Sequence, residues 1–125
     1  MYSVAVRQAF SASHYLIGDD WGEESKLHQH DYLVEVCLEG QHLDAHFYLA
    51  DISDIKVRLN GLVDSVRGTI LNYLPECTNK NPSIELLATV FCQKLLSHIA
   101  TNQLSAVTVR IWENENAWAA FRQDI

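Results

Sequence analysis

The 125-residue chain is short of several things, and each shortage narrows the field. Basic residues are few: nine Lys and Arg stand against sixteen Asp and Glu, a formal charge of −7, with no basic run to offset it. Binding driven by nucleic-acid phosphates is therefore not expected. Only three cysteines occur, Cys37, Cys77 and Cys92, widely spaced and never as C-x-x-C. That argues against a disulfide framework and against a thiolate metal site, and a reducing cytoplasm is the expected setting. No apolar run approaches the roughly 18 residues of a membrane span, and the N-terminal MYSVAVRQAF alternates apolar and polar residues. The expectation is a protein neither exported nor membrane-bound. With five Gly, two Pro, no repeat and no low-complexity stretch, nothing reads as a linker, so residues 1–125 are expected to form one domain.

What is present is a patterned chain, 48% apolar. Tyr2, Val4, Val6 and Phe10 share one parity against Ser3 and Arg7, which predicts a strand over 2–10. Tyr32, Val34, Val36 and Leu38 oppose Glu35 and Glu39, a second strand over 31–39, and the turn-rich GDDWGEESK between them reads as a long loop. From Asp51 the period changes. Ile52, Ile55, Leu59, Leu62, Val63 and Val66 recur at steps of three and four, the stripe of an amphipathic helix. Asn81-Pro82 predicts a second helix, with Asn81 as cap and Pro82 in the first helical position, continuing through Ile84, Leu87, Phe91 and Leu95. SAVTVRIWE at 105–113 and AWAAF at 117–121 return to period two around a polar turn. The order is ββααββ, an α+β chain. Two helices cannot cover both faces of such a sheet, so either the remaining face or edges meet another copy, or the molecule is a monomer with one wet face.

Six histidines are the unusual item. His28 and His30 lie two apart at the mouth of the second strand, where side chains i and i+2 share a face. His14 follows the first strand, and antiparallel pairing would set it opposite them. Three neutral imidazoles leave a fourth position of a zinc ion open, as catalytic sites do, although the same set accepts iron, nickel or cobalt. An isolated H-x-H can equally be a pair of solvent-facing side chains that bind nothing. His42, His46 and His98 are expected to be bystanders.

FSASH, L-H-x-H running into DYLVEV, ADISDIK, ILNYLP, NPSIELLA and VRIWE, in that order across nearly the whole chain, resemble the 6-pyruvoyltetrahydropterin and 6-carboxytetrahydropterin synthase family. The resemblance implies the tunnelling fold, in which sheets of ββααββ subunits join into a trimeric barrel and two trimers stack into a hexamer. It implies a cytoplasmic carbon–oxygen lyase of queuosine or tetrahydrobiopterin biosynthesis that acts on dihydroneopterin triphosphate or a related pterin. Zinc ligands are implied at His14, His28 and His30, a pterin-anchoring carboxylate at Glu113, and pocket contacts at Ser83, Ile84 and Glu85. A carboxylate suits a pterin because it accepts two parallel N–H bonds from the ring edge. Glu85 suits equally a role against the helix dipole.

The chain departs from the family pattern where protons move. The usual cysteine base before the histidine pair is missing from WGEESKLHQH. Glu24 stands in its place, four residues before His28, with Glu23 as runner-up. The family's Asp-His pair aligns with Arg67 and Gly68, neither able to shuttle a proton at neutral pH, and Asp64 would need a three-residue shift to substitute. Gln29 replaces the glycine between the histidines. Two classes of function therefore stand: a zinc enzyme with Glu24 or Glu23 as base, or a non-catalytic pterin or purine-like binding protein that keeps fold and metal.

Overall fold

Alternation decides which way each strand faces, and hydrogen bonds between strands decide which residues meet. The computed structural model describes residues 1–125. Its elements are β1 (Tyr2–His14), β2 (His28–Gly40), α1 (Ile52–Val66), α2 (Ile84–Leu96), β3 (Ala106–Asn114) and β4 (Ala117–Asp124). The strands form one antiparallel sheet in the order β1-β2-β3-β4, the predicted ββααββ arrangement. Both early strands run longer than the apolar alternation suggests. β1 continues through SASH and β2 begins at His28, because each extension supplies the other's backbone partners.

One face of the sheet carries the core. Phe10 of β1, Val34 and Val36 of β2, and Val109 and Ile111 of β3 pack against Leu59 and Val63 of α1 and Leu87, Phe91 and Leu95 of α2. Asp51 caps α1, its carboxylate accepting from the amides of Ser53 and Asp54 at 3.0 and 3.3 Å. α2 departs from expectation at its start. It is capped by Ser83, whose Oγ accepts from Leu86 N at 3.1 Å. Asn81 is not the cap because its amide is used elsewhere: Oδ1 accepts from Ile17 N at 2.7 Å and Nδ2 donates to Ile17 O at 3.3 Å.

The opposite face is not uniformly apolar. Glu35, 8% exposed, lies between Arg7 and Arg110 on the neighbouring strands, with contacts of 2.8 and 3.4 Å. The guanidinium of Arg110 stacks over Trp118, 4.2 Å from the ring centre, and that of Arg7 over Trp112 at 5.1 Å. A buried carboxylate held by two guanidiniums is tolerable where either alone would be costly.

Where the chain leaves β1, two asparagines hold it. Asn72 Oδ1 accepts from Tyr15 N at 3.0 Å while its Nδ2 donates to Tyr15 O at 2.8 Å, and Asn81 repeats the pattern on Ile17. Each side chain thus imitates a neighbouring strand for one residue, next to His14. Asn72→Ala should lower stability by about 1–3 kcal/mol, since each lost bond is worth roughly 0.5–1.5 kcal/mol. The change should appear in urea denaturation as a lower midpoint at unchanged slope.

Candidate metal and substrate site

The β1–β2 register sets His14 directly opposite His28, with His30 opposite Ala12. All three histidines share the helix-facing side of the sheet, at its open end below the start of α2. Their rings sit edge to face, with centroids 4.5 Å (His14–His28), 5.0 Å (His14–His30) and 4.9 Å (His28–His30) apart. Glu24 joins them from the loop after β1, and the donor atoms of the four residues lie within 4.8 Å of one another.

The loop earns its shape locally. Residues Gly22–Ser25 form a single 3₁₀ turn. Gly22 has φ +64°, a left-handed value that suits glycine. Leu16 N donates to Glu24 O at 2.9 Å, and Trp21 Nε1 donates to Ile17 O at 3.0 Å, so the loop closes on the clamped segment. This geometry separates the two candidate bases. Glu24 Oε2 stands 3.1 Å from His28 Nε2, whereas Glu23 is turned outward to Lys26 at 3.3 Å, with its side chain 89% exposed.

The imidazole tautomers follow from their back contacts. His28 Nδ1 lies 2.7 Å from the Lys26 carbonyl and His14 Nδ1 lies 3.4 Å from that of Pro82. A carbonyl only accepts, so Nδ1 carries the proton on each ring and Nε2 presents a lone pair. Both Nε2 atoms are buried with no hydrogen-bond partner. The approach of Glu24 to His28 therefore brings two lone-pair atoms together without a hydrogen between them. Converging unprotonated donors, each braced from behind by a carbonyl, fit a metal ion.

Glu113 stands half-buried on the same side. It is the extra residue where β3 bulges, between the pairs Trp112–Trp118 and Asn114–Ala117, and a bulge re-aims the side chain it carries. Extending the β2–β3 register one step past Leu33–Trp112 sets Glu113 beside Tyr32. Tyr32 is 2% exposed, and its hydroxyl has no partner. Burial, then the carboxylates of Glu113 and Glu24, push its phenol well above the usual range.

The other predicted residues are placed as follows. Ser83 spends its hydroxyl on the α2 cap, Ile84 is buried below it, and Glu85 is exposed in the first helical turn. Pro82 contributes the carbonyl behind His14. Asp64 does not substitute for the missing Asp-His pair. It faces Arg67 at 3.5 Å on the outside of α1, and Arg67 in turn donates to Ala9 O at 3.3 Å. His42, His46 and His98 are exposed and apart from the cluster. Sequence reasoning missed Asn72 and Asn81 as braces of the site; their only signal was asparagine beside an apolar run, which reads equally as a cap or a turn. Tyr32 was hidden because its parity made it core.

The fold and the strand-end cluster define an α+β sheet protein of the tunnelling type with a four-residue donor set that could hold a metal ion. The chain belongs to the 6-pyruvoyl tetrahydropterin synthase family, whose profile matches residues 3–124. It is similar to a protein of Archaeoglobus fulgidus named as a candidate 6-carboxy-5,6,7,8-tetrahydropterin synthase, 29% identical over 121 residues, or 96% of this chain and 95% of that one. Among solved structures it resembles the 6-pyruvoyl tetrahydropterin synthase of Caenorhabditis elegans, with TM-score 0.82, 20% identity and coverage of 98% and 96%. It also resembles that of Plasmodium vivax in a variant whose replaced glutamate is described as a catalytic residue, with TM-score 0.82, 16% identity and coverage of 99% and 98%. No helix is long and apolar enough to cross a membrane.

Burial holds the His14 imidazole below its usual pKa of 6.5, with its histidine neighbours acting in the same direction. Between that lowered value and 6.5 the unfolded chain takes up a proton that the folded chain refuses. The metal-free protein should therefore lose stability as pH falls through about 6.5. Urea denaturation across that range checks it, and a His14→Phe variant should show a shallower slope.

Proposed function

We propose that this tetrahydropterin synthase-type protein is a zinc-dependent carbon–oxygen lyase acting on dihydroneopterin triphosphate or a closely related pterin. The observation that carries the proposal is the shared cluster of His14, His28, His30 and Glu24, in which two imidazole Nε2 lone pairs converge without partners. His14, His28 and His30 would hold the ion. When bound, zinc supplies a Lewis acid that polarises the hydroxyls of the pterin side chain and lowers the proton affinity of the carbon beside them.

The chain's own residues account for the rest. Glu113 accepts paired hydrogen bonds from the ring N–H and amino group and so fixes which carbon faces the histidines. Glu24, tethered by the Leu16 amide and half-exposed, takes the proton from the side-chain carbon next to the one that bears the triphosphate; the C–H electron pair forms a carbon–carbon double bond as the C–O bond breaks, and triphosphate leaves with that bond's electrons. With Arg67 bound to Ala9 and Asp64, no second acid–base pair competes for this role. The glutamate described as catalytic in the Plasmodium vivax protein supports a carboxylate base in this fold. The Archaeoglobus fulgidus relative favours a 6-carboxytetrahydropterin product, which keeps one side-chain carbon, so that after triphosphate loss the other two leave as an aldehyde by carbon–carbon cleavage. Ser83, Ile84 and Glu85 complete a pocket wall at the start of α2. Both β1 and β4 are open edges of the sheet, and an open edge offers backbone groups to another strand. A homo-oligomer, trimer or hexamer, is the assembly that uses them.

Glu24→Gln keeps the shape and removes the basic oxygen. Turnover should fall at least about 100-fold while pterin affinity stays nearly unchanged, measured by product chromatography and by fluorescence titration. Undiminished turnover in this variant would overturn the assignment of Glu24. Pterin binding by the zinc-loaded parent without any turnover would instead favour the non-catalytic binding role.

A further inference from the structure

A buried hydroxyl without a partner is costly, because the water it gave up is not replaced. Tyr32 bears that cost for no packing reason. Its ring stacks on Phe10, with centroids 5.1 Å apart and planes at 22°, and Phe at this position would stack as well and strand nothing. Its surroundings suggest a purpose. The ring lies 5.7 Å from that of His30 and 6.5 Å from that of His14, while extending the β2–β3 register one step past Leu33–Trp112 sets Glu113 beside it on the neighbouring strand. Tyr32 thus stands between the histidine cluster and the carboxylate, on the same face of the sheet as both. A phenol is protonated at neutral pH and can donate, whereas Glu113 only accepts.

We propose that Tyr32 is a substrate-positioning residue whose hydroxyl donates a hydrogen bond to a lone-pair atom, a carbonyl oxygen or imine nitrogen, of the heterocycle held between Glu113 and the histidines. This rests on the reading of the site as a pterin site and adds a donor to it. A ring that offers N–H groups to Glu113 and a lone pair to Tyr32 matches both partners. A ring lacking the acceptor would leave the hydroxyl stranded, so the pair selects for ligands with both features.

The test compares the zinc-loaded parent with Tyr32→Phe. Dihydroneopterin affinity is followed by fluorescence titration, alongside zinc content and the melting temperature of the ligand-free proteins. Tyr32→Phe should bind dihydroneopterin about fivefold to tenfold more weakly, as expected for one hydrogen bond. It should also retain one zinc per chain and melt at the same or a higher temperature, because the stranded hydroxyl is gone. Equal affinity in the two proteins would overturn the role of Tyr32 while leaving the pterin site standing. A lower melting temperature for Tyr32→Phe would also overturn it, by revealing a structural partner for the hydroxyl. Failure of the parent itself to bind dihydroneopterin would instead refute the reading of the site.

Discussion

The pairing of β1 with β2 is the constraint from which the site follows. Because side chains alternate across a sheet, a slip of one residue would send one strand's histidines to the opposite face. The observed register places His14 across from His28 and keeps both on the helix side with His30. Apolar residues further along the same strands lock that register: Val6 and Phe10 on β1, and Tyr32, Val34 and Val36 on β2, lie on the core side only in this alignment. Core packing and the convergence of the three imidazoles are two consequences of one alignment. The asparagine clamps on Tyr15 and Ile17 and the 3₁₀ turn carrying Glu24 extend the same order past the end of the strand.

The two faces of the sheet divide the chemistry. On the helix side, the row from the histidines through Tyr32 to Glu113 runs from metal donors to a hydroxyl to a carboxylate, with the bulge at Glu113 turning the last member. On the far side, Arg7, Glu35 and Arg110 form a charge ladder under Trp112 and Trp118, which keeps the charges of a partly apolar face paired. Neither face would be specified by hydrophobicity alone.

Much of this was legible in the residues. Strands and helices appeared as periods of two and of three to four, and the histidine trio could be read once two strands were made neighbours. The limits were equally physical. The early strands outrun their predicted ends because SASH and HQH lack apolar alternation, although backbone pairing needs none. Asn81 looked like a cap because asparagine and proline before an apolar stripe signal one; a distant segment, invisible locally, claimed its amide. Glu23 and Glu24 could not be separated without knowing which way a four-residue turn points. Tyr32 shares the parity of the apolar residues on its strand, and only a three-dimensional census of hydroxyl partners distinguishes it from Phe.

The departures at Arg67 and Gly68 raise the question that matters most: whether a chain of this family with a different set of residues at the expected proton-transfer positions performs chemistry. If it does, one carboxylate, Glu24, carries that burden beside a metal. Incubation of the zinc-loaded protein with dihydroneopterin triphosphate, followed by chromatographic identification of the pterin side chain, tests this most directly. Metal-dependent conversion to a pterin altered at its 6-substituent is the predicted result. Unchanged substrate at full zinc occupancy, under conditions where the pterin is bound, would contradict it.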